Sequence, residues 1–169
     1  LGSVTVNARG NVTSTGGGVF GVISNSANAS NVSVTAGNVS SYGDAVHGNT
    51  EGVGNVFVGT VAGSDANSSH DDGIFGLAAE GGNVTVYAAG NVSGNTSGIH
   101  AQTYLGGNID VTLAGGANAT GRDSGDGIRT YAHGNGTITI NTGSGAVNGL
   151  QRSEEHTSEL QSLAYLVCR

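Results

Sequence analysis

The strongest pattern along the chain is a pair of β-branched residues separated by a single residue, which occurs six times. The pairs are Val4/Val6, Val32/Val34, Val56/Val58, Val84/Val86, Ile109/Val111 and Ile138/Ile140. They begin 28, 24, 28, 25 and 29 residues apart, a period that is typical of solenoid repeats. Because the side chains of a strand point alternately to opposite faces, both members of a pair face the same side. The pattern predicts one strand with two buried positions in every repeat.

Two further marks recur between the pairs and predict two more short strands in each repeat. One is a step from asparagine to valine, at Asn11, Asn38 and Asn91. The other is a step from glycine or alanine to an aliphatic residue, and two segments around it, GVFGV at 18–22 and GIFGL at 73–77, are nearly identical. Glycines interrupt every window that could form an amphipathic helix, and each costs a helix interior about 0.5–1 kcal/mol relative to alanine. We predict an all-β chain, a single-stranded parallel β-helix solenoid of about six coils of 24–29 residues, right-handed by the usual crossover preference.

Stacking the repeats predicts which side chains form columns along the solenoid. The two members of each pair form two interior columns, and the residues between them form an outward column that is mostly polar. Directly before each pair stands another polar residue, whose side chain can hydrogen bond to the same position one coil away, about 4.8 Å distant. This set predicts an asparagine ladder, and its members are Ser3, Asn31, Asn55, Asn83, Asn108 and Thr137.

The last 18 residues differ from the rest of the chain. Residues 152–169 contain none of the 32 glycines and hold the only cysteine. Their sequence, RSEEHTSELQSLAYLVCR, resembles the translation of a common Illumina sequencing adaptor. We therefore expect residues 1–151 to form the solenoid, as an uncapped piece of a longer rod, and residues 152–169 to be a non-native tail without a domain. The alternative for the tail is a short amphipathic helix.

The composition of residues 1–151 restricts the classes of partner. Three arginines, no lysine and nine acidic residues give this segment a net charge of −6. No basic patch is available for phosphates, so nucleic acid and anionic membrane surfaces are disfavoured. The segment contains no cysteine, which argues against a disulfide framework and a cysteine-based zinc site, and no apolar run long enough for membrane insertion. We predict no cofactor and no metal site.

Three aspartates at one phase of the repeat are the candidate catalytic residues. Asp44, Asp72 and Asp126 each precede the step to an aliphatic residue, and Arg129 follows the last of them. Parallel β-helix lyases and hydrolases of polysaccharides place acids on neighbouring coils in this way. The alternative role is structural, because an aspartate at a turn hydrogen bonds to the nearby backbone. We favour the structural role, expect no enzymatic activity, and keep weak Ca²⁺ binding as a third alternative.

The histidines carry a weaker signal. His47, His70, His100 and His133 lack the spacing of helical metal ligands, and we predict solvated turn residues. The contiguous Ser-His-Asp sequence at 69–71 contains the residue types of a catalytic triad, but a triad brings together residues that are separated in sequence.

Several phrases within residues 82–130, GNVTV, GIHA, GGNIDVT and DGIRT, resemble the passenger domains of bacterial autotransporters and related adhesins. The resemblance covers residues 2–150. It implies a β-helix that is secreted through a C-terminal outer-membrane barrel and displayed on the cell surface as an adhesive or structural stalk, with a host or environmental surface or glycan as partner. We also expect self-association through the open ends of the solenoid.

Two other functions stay open at this stage. A polysaccharide lyase or hydrolase would need a groove with two or more acids and an arginine within about 10 Å. A repetitive phage or exopolysaccharide-associated protein is the other alternative. An ice-binding array is disfavoured, because Phe57 and Asp110 interrupt the outward threonine column.

Overall fold

The computed structural model describes residues 2–23, 30–149 and 155–157 of the 169-residue chain. All regular secondary structure in these residues is β, arranged in 18 strands, which confirms the predicted fold class. Among the described residues, no helix has the length and apolar character needed to cross a membrane. Valine, isoleucine and threonine dominate the strands because branched side chains pack well on a pleated surface.

The strands form three parallel sheets of six strands each, and every coil contributes one strand to each sheet. The first sheet, which we name the valine wall, consists of β1 (Val4–Ala8), β4 (Val32–Ala36), β7 (Val56–Thr60), β10 (Val84–Ala88), β13 (Ile109–Leu113) and β16 (Ile138–Asn141). The second, the short wall, consists of β2 (Val12–Thr13), β5 (Val39–Ser41), β8 (Ala66–Ser68), β11 (Val92–Gly94), β14 (Ala119–Gly121) and β17 (Val147–Asn148). The third, the histidine wall, consists of β3 (Val19–Ile23), β6 (Val46–Thr50), β9 (Ile74–Ala78), β12 (Ser97–Thr103), β15 (Asp126–Ala132) and β18 (Glu155–Thr157). The chain is therefore a parallel β-solenoid.

The two predicted interior columns are confirmed by the strand register. Val4 pairs with Val32, Val6 pairs with Val34, and the same register continues through the valine wall to Ile138 and Ile140. The valines and isoleucines of the four middle coils are at most 1% exposed in these columns. Burying one such side chain contributes about 1.5–3 kcal/mol, so the columns hold the coils together.

The inner face of the histidine wall has a central column of small residues that leaves room for the valine wall. Its middle column runs through Gly21, Gly48, Gly76, Ala101 and Thr130. A Cβ atom added to Gly48 would lie only 2.6 Å from Cγ2 of Val58 and 3.0 Å from Cγ1 of Val56. A side chain at Gly48 would therefore clash with the valine wall, whereas the later coils hold Ala101 and Thr130 at the equivalent position.

The asparagine ladder is present, but its hydrogen bonds differ from the predicted ones. Oδ1 of Asn31 accepts the backbone N–H of Asn55 at 2.9 Å, and Asn55 and Asn83 accept from the next coil in the same way. The amides therefore satisfy corner backbone groups instead of each other. A second ladder, which the sequence analysis did not predict, precedes the short wall. Its members are Asn11, Asn38, Asp65, Asn91 and Asn118.

The structure describes only three residues of the predicted tail, 155–157. Glu155–Thr157 form β18, which pairs in parallel with β15, so these residues are a strand and not part of the alternative helix. The rest of the tail, 152–154 and 158–169, lies outside the described residues. The non-native origin of the tail and the right-handed winding remain predictions.

Candidate functional site

The three candidate aspartates lie in one column at the start of the histidine wall. The backbone N–H of Ala45 donates to the carbonyl oxygen of Asp72, and that of Gly73 donates to the carbonyl oxygen of Ser97. Ser97 in turn pairs with Asp126. Ser97 therefore separates the acids into an adjacent pair, Asp44 and Asp72, and a single residue, Asp126.

The adjacent pair of acids is bonded to two histidines. Nδ1 of His47 lies 2.7 Å from Oδ2 of Asp44, and Nδ1 of His100 lies 3.0 Å from Oδ2 of Asp72. Because a carboxylate only accepts, the ring N–H donates in both bonds. Oδ1 of Asp44 also accepts the backbone N–H of Asp72 at 3.1 Å. The acids and histidines thus connect neighbouring coils. We predicted solvated histidines, but His47 and His100 are largely buried, with 16% and 15% of their side chains exposed.

The single acid has a looser environment. Nε of Arg129 lies 3.9 Å from Oδ2 of Asp126. The same Nε donates a hydrogen bond to the hydroxyl of Tyr131 at 2.6 Å, and the guanidinium carbon lies 5.1 Å from the centre of the Tyr131 ring. The ion pair of Arg129 is thus with Asp126 and its hydrogen bond is with Tyr131, on the same strand. The structure does not gather the four candidate residues into one constellation.

Aromatic rings cover the outer face of the histidine wall. Phe20 stacks on His47 with ring centres 4.9 Å apart, Phe75 lies between His47 and His100 at 4.7 and 5.1 Å, and Tyr131 follows at 5.9 Å. Each ring stands on the next coil, at the strand spacing of about 4.8 Å. The rings cover this face, and the side chains of Asp44 and Asp72 next to them are only 18% and 8% exposed.

One part of the column retains unused hydrogen-bonding capacity. Oδ1 of Asp72, Oγ of Ser97 and Nε2 of His100 are buried and have no hydrogen-bond partner among the described residues. Asp72 itself is 6% exposed. Buried polar atoms of this kind are usually satisfied by an ordered water molecule or another small polar guest. No cluster of three or more histidine, cysteine, aspartate or glutamate side chains placed to hold a metal ion occurs in the described part of the chain.

The short wall carries a second candidate site, which sequence reasoning missed. Its outward column is uncharged and polar in all six coils, and the strand register aligns its members: Thr13, Ser40, Asn67, Ser93, Thr120 and Asn148. The signal was present in the sequence, because each of these residues directly follows the valine or alanine that starts a short strand. The column then extends over the whole described length of the wall.

An open groove of about 330 Å³ runs beside this column, lined by hydroxyl-bearing residues, Asn67, Tyr42 and Arg122. Nη2 of Arg122 donates to the carbonyl oxygen of Ser68 at 2.8 Å and to Oγ of Ser93 at 2.7 Å. Arg122 therefore reaches back along the rod to a coil two steps away. Its position in the groove could not be read from sequence, because it depends on how the side chain crosses the intervening coil.

One side of the groove is formed by an aromatic residue, Tyr42. Tyr42 is 52% exposed and stacks on His70 of the next coil, with ring centres 4.6 Å apart and planes inclined by 12°. The stack fixes the orientation of the tyrosine ring. His70, the middle residue of the Ser-His-Asp sequence, thus contacts a ring and not a catalytic serine.

Comparisons with protein families, with curated proteins and with solved structures found no match to this chain. The parallel β-solenoid fold consequently rests on the structure itself. The likeness to autotransporter passengers and adhesins rests on the sequence phrases alone.

Proposed function

We propose that this chain is part of an adhesive or structural rod that is displayed outside the cell, as in autotransporter-like passengers. The observation that carries the proposal is the uninterrupted column of the short wall, which has an uncharged polar side chain on all six coils. Solenoids that present such extended surfaces commonly use them for binding. The acidic composition, with a net charge of −7, agrees with a partner other than nucleic acid.

The adhesive role can be tested with beads that carry the full chain. We expect these beads to be retained under flow on layers of cells or on glycan-coated glass more strongly than beads carrying an unfolded variant. The unfolded control is Gly48→Val, assayed above its melting temperature, which a clash of the new side chain with the valine wall should lower. Equal retention of the folded and unfolded chains on every surface would contradict the proposal.

A polysaccharide-active enzyme is the second candidate, and one observation favours it. Asp72 and His100 form a hydrogen-bonded pair, and each keeps one buried polar atom without a partner among the described residues. A carboxylate and a histidine in contact are a common combination for general acid and base catalysis. The bonds that Asp44 makes to His47 and to the backbone favour the structural role instead.

The two candidates give different results in an activity assay. The chain would be incubated with neutral and acidic polysaccharides while reducing ends and unsaturated sugar products are measured. We expect no product above that of the triple variant Asp44→Asn, Asp72→Asn, Asp126→Asn. Cleavage by the original chain that is lost in the triple variant would replace the adhesive proposal by the enzymatic one.

The proposal includes a location at the bacterial cell surface and association between rods. Support for self-association comes from the parallel sheets, whose terminal strands β1, β2 and β3 each pair on one side only within the described residues. Exposed strand edges favour pairing with further strands. Sedimentation of the full chain should therefore show species larger than a monomer, and a single monomeric species would exclude this part of the proposal.

A further inference from the structure

We propose that the groove of the short wall binds a glycan through a sugar that bears a carboxylate, with Arg122 as the anion-binding residue and Tyr42 as the stacking surface. This inference rests on the proposed adhesive function, because it assigns the binding surface of the rod. It differs from the acidic column of the histidine wall, which faces another side of the solenoid.

The first argument is the chemistry of the lining. Thr13, Ser40, Ser41 and Asn67 line the groove together with Tyr42 and Arg122. Hydroxyl and amide groups both donate and accept hydrogen bonds, which matches the hydroxyl groups of a sugar. The volume of about 330 Å³ lies at the lower end of the range of small-ligand sites, which suits one or two sugar rings with the rest of the chain extending along the rod.

The second argument is that Arg122, inside the groove, has no carboxylate partner among the described residues. The chain has 12 acidic residues and only 5 lysines and arginines, so an arginine would be expected to pair with an acid. Arg129 does so with Asp126, whereas the bonds of Arg122 go to Ser68 and Ser93, and no carboxylate of the described residues forms an ion pair with it. Both bonds use Nη2, so the other N–H groups of the guanidinium are left to meet a ligand.

Those two hydrogen bonds also hold Arg122 in place. Oγ of Ser93 accepts from Arg122 and donates to Oδ1 of Asn67 at 2.6 Å. A guanidinium held in this way loses little side-chain freedom when it binds a carboxylate, and the pair is a charge-assisted hydrogen bond. The positive charge therefore points to a negatively charged ligand group and not to a neutral one.

The third argument is the exposed tyrosine. His70 covers one face of the Tyr42 ring, while Tyr42 remains 52% exposed and lines the groove. The C–H groups of a sugar ring present an apolar face that packs on an aromatic ring. The groove thus offers an aromatic ring for stacking, hydroxyl groups for hydrogen bonding and a guanidinium that is held in place. Together these groups match a saccharide that bears a carboxylate.

The experiment is a nuclear magnetic resonance titration of the full chain with defined saccharides. The acidic probes are 3′-sialyllactose and a hyaluronan tetrasaccharide, and lactose is the neutral control. We expect at least one acidic probe to shift the backbone amide signals of Ser41, Tyr42, Asn67 and Ser68, and lactose to bind about tenfold more weakly or not at all. Absence of shifts in the groove with both acidic probes, or equal binding of lactose, would overturn the inference.

Variants separate the roles of the two side chains. Arg122→Gln should weaken binding of the acidic probe about tenfold, and Arg122→Lys, which keeps the charge but not the fork of donors, should lie in between. Tyr42→Ala should weaken it about fivefold. The matched controls are Arg9→Gln and Tyr104→Ala, an exposed arginine and an exposed stacked tyrosine that do not line the groove, and each should change binding by less than about twofold. Equal effects of the groove and control variants would also refute the inference.

The titration distinguishes failure of this inference from failure of the adhesive function. If the beads adhere but no acidic probe binds the groove, the rod is adhesive through another surface. If an acidic probe binds the groove but the beads do not adhere, the saccharide site stands and the adhesive role falls. Unchanged spectra of the variants without ligand would establish that they are folded.

Discussion

The outer faces of the histidine wall and the short wall belong to the same coils but use their polar groups differently. On the histidine wall, Asp44 and Asp72 bond to His47 and His100, and the rings of neighbouring coils stack over them. On the short wall, hydroxyl and amide groups line an open groove that Arg122 enters without a carboxylate partner among the described residues. Aspartate and histidine, which suggest catalysis, thus connect coils, while serine, threonine and asparagine, which suggest a plain surface, line the proposed binding groove.

Side-chain volume explains the difference between the two faces. The first five strands of the histidine wall are five to seven residues long and carry phenylalanine, histidine, tyrosine and arginine at their outward positions. The short wall has strands of two or three residues with serine, threonine and asparagine there. At a spacing of about 4.8 Å, large rings touch and fill the surface, whereas small side chains leave a concavity. The groove therefore follows from the small residues.

The largest expected effect concerns the contact between Gly48 of the histidine wall and the valine wall. Gly48→Val should destabilise the fold by about 3 kcal/mol or more, because the new side chain would overlap Val56 and Val58. The control Ser40→Val adds a valine to the outer face of the short wall, where it should change stability by less than about 0.5 kcal/mol. Thermal unfolding followed by circular dichroism measures both. Similar melting temperatures for the two variants would mean that the walls do not differ in packing.

The next effect tests the acids of the histidine wall. Asp72→Ala should cost about 2 kcal/mol, because it leaves the buried N–H of His100 without its acceptor. Asp126→Ala is the control and should cost about 0.5 kcal/mol, since its contact with Arg129 is 3.9 Å long and partly exposed. Urea denaturation gives both free energies of unfolding. Equal losses would show that Asp72 has no special structural role.

A smaller effect is expected at the corner between the histidine wall and the valine wall. Asn83→Ala should cost about 1 kcal/mol, because Asn83 Oδ1 accepts the backbone N–H of Asn108 at 2.9 Å. Asn83→Asp keeps that acceptor and should lose less than half as much. The same urea titration compares the two variants. If aspartate is as damaging as alanine, the ladder does not act through this bond.

The smallest effect is expected in the groove. Arg122→Gln should change the free energy of unfolding by less than about 0.5 kcal/mol, because the side chain is exposed. A loss as large as that of Asp72→Ala would mean that Arg122 fastens coils together in the way that the acids do. The contrast between the two walls would then disappear.

Much of the fold could be predicted from the sequence because the repeat aligns chemically equivalent positions. The column from Val4 to Ile138 and the register of Ser97 with Asp126 follow from counting residues between the marks. The burial of His47 and His100 could not be derived in this way, because it arises from rings on neighbouring coils whose approach depends on side-chain rotamers. For the same reason the sequence predicted the ladder residues but not that they bond to the backbone.

The candidate site was predictable only in part. Sequence reasoning placed Asp44, Asp72 and Asp126 at one phase, and the structure agrees with that placement. It missed the groove, because Arg122 lies outside the strands and contacts Ser68 and Ser93 only after the chain has wound through two further coils. Contacts of this type depend on the three-dimensional path of one long side chain, for which the repeat provides no equivalent positions.

The asparagine ladder gives the rod a direction. In each of its bonds the acceptor belongs to the preceding coil and the backbone N–H to the following one, from Ser3 and Asn31 up to Asn108 and Thr137. Each coil therefore presents one side-chain acceptor of this ladder to the coil that follows it in the chain. Two rods that join by the same bonds can add only head to tail, which makes any filament built from them polar.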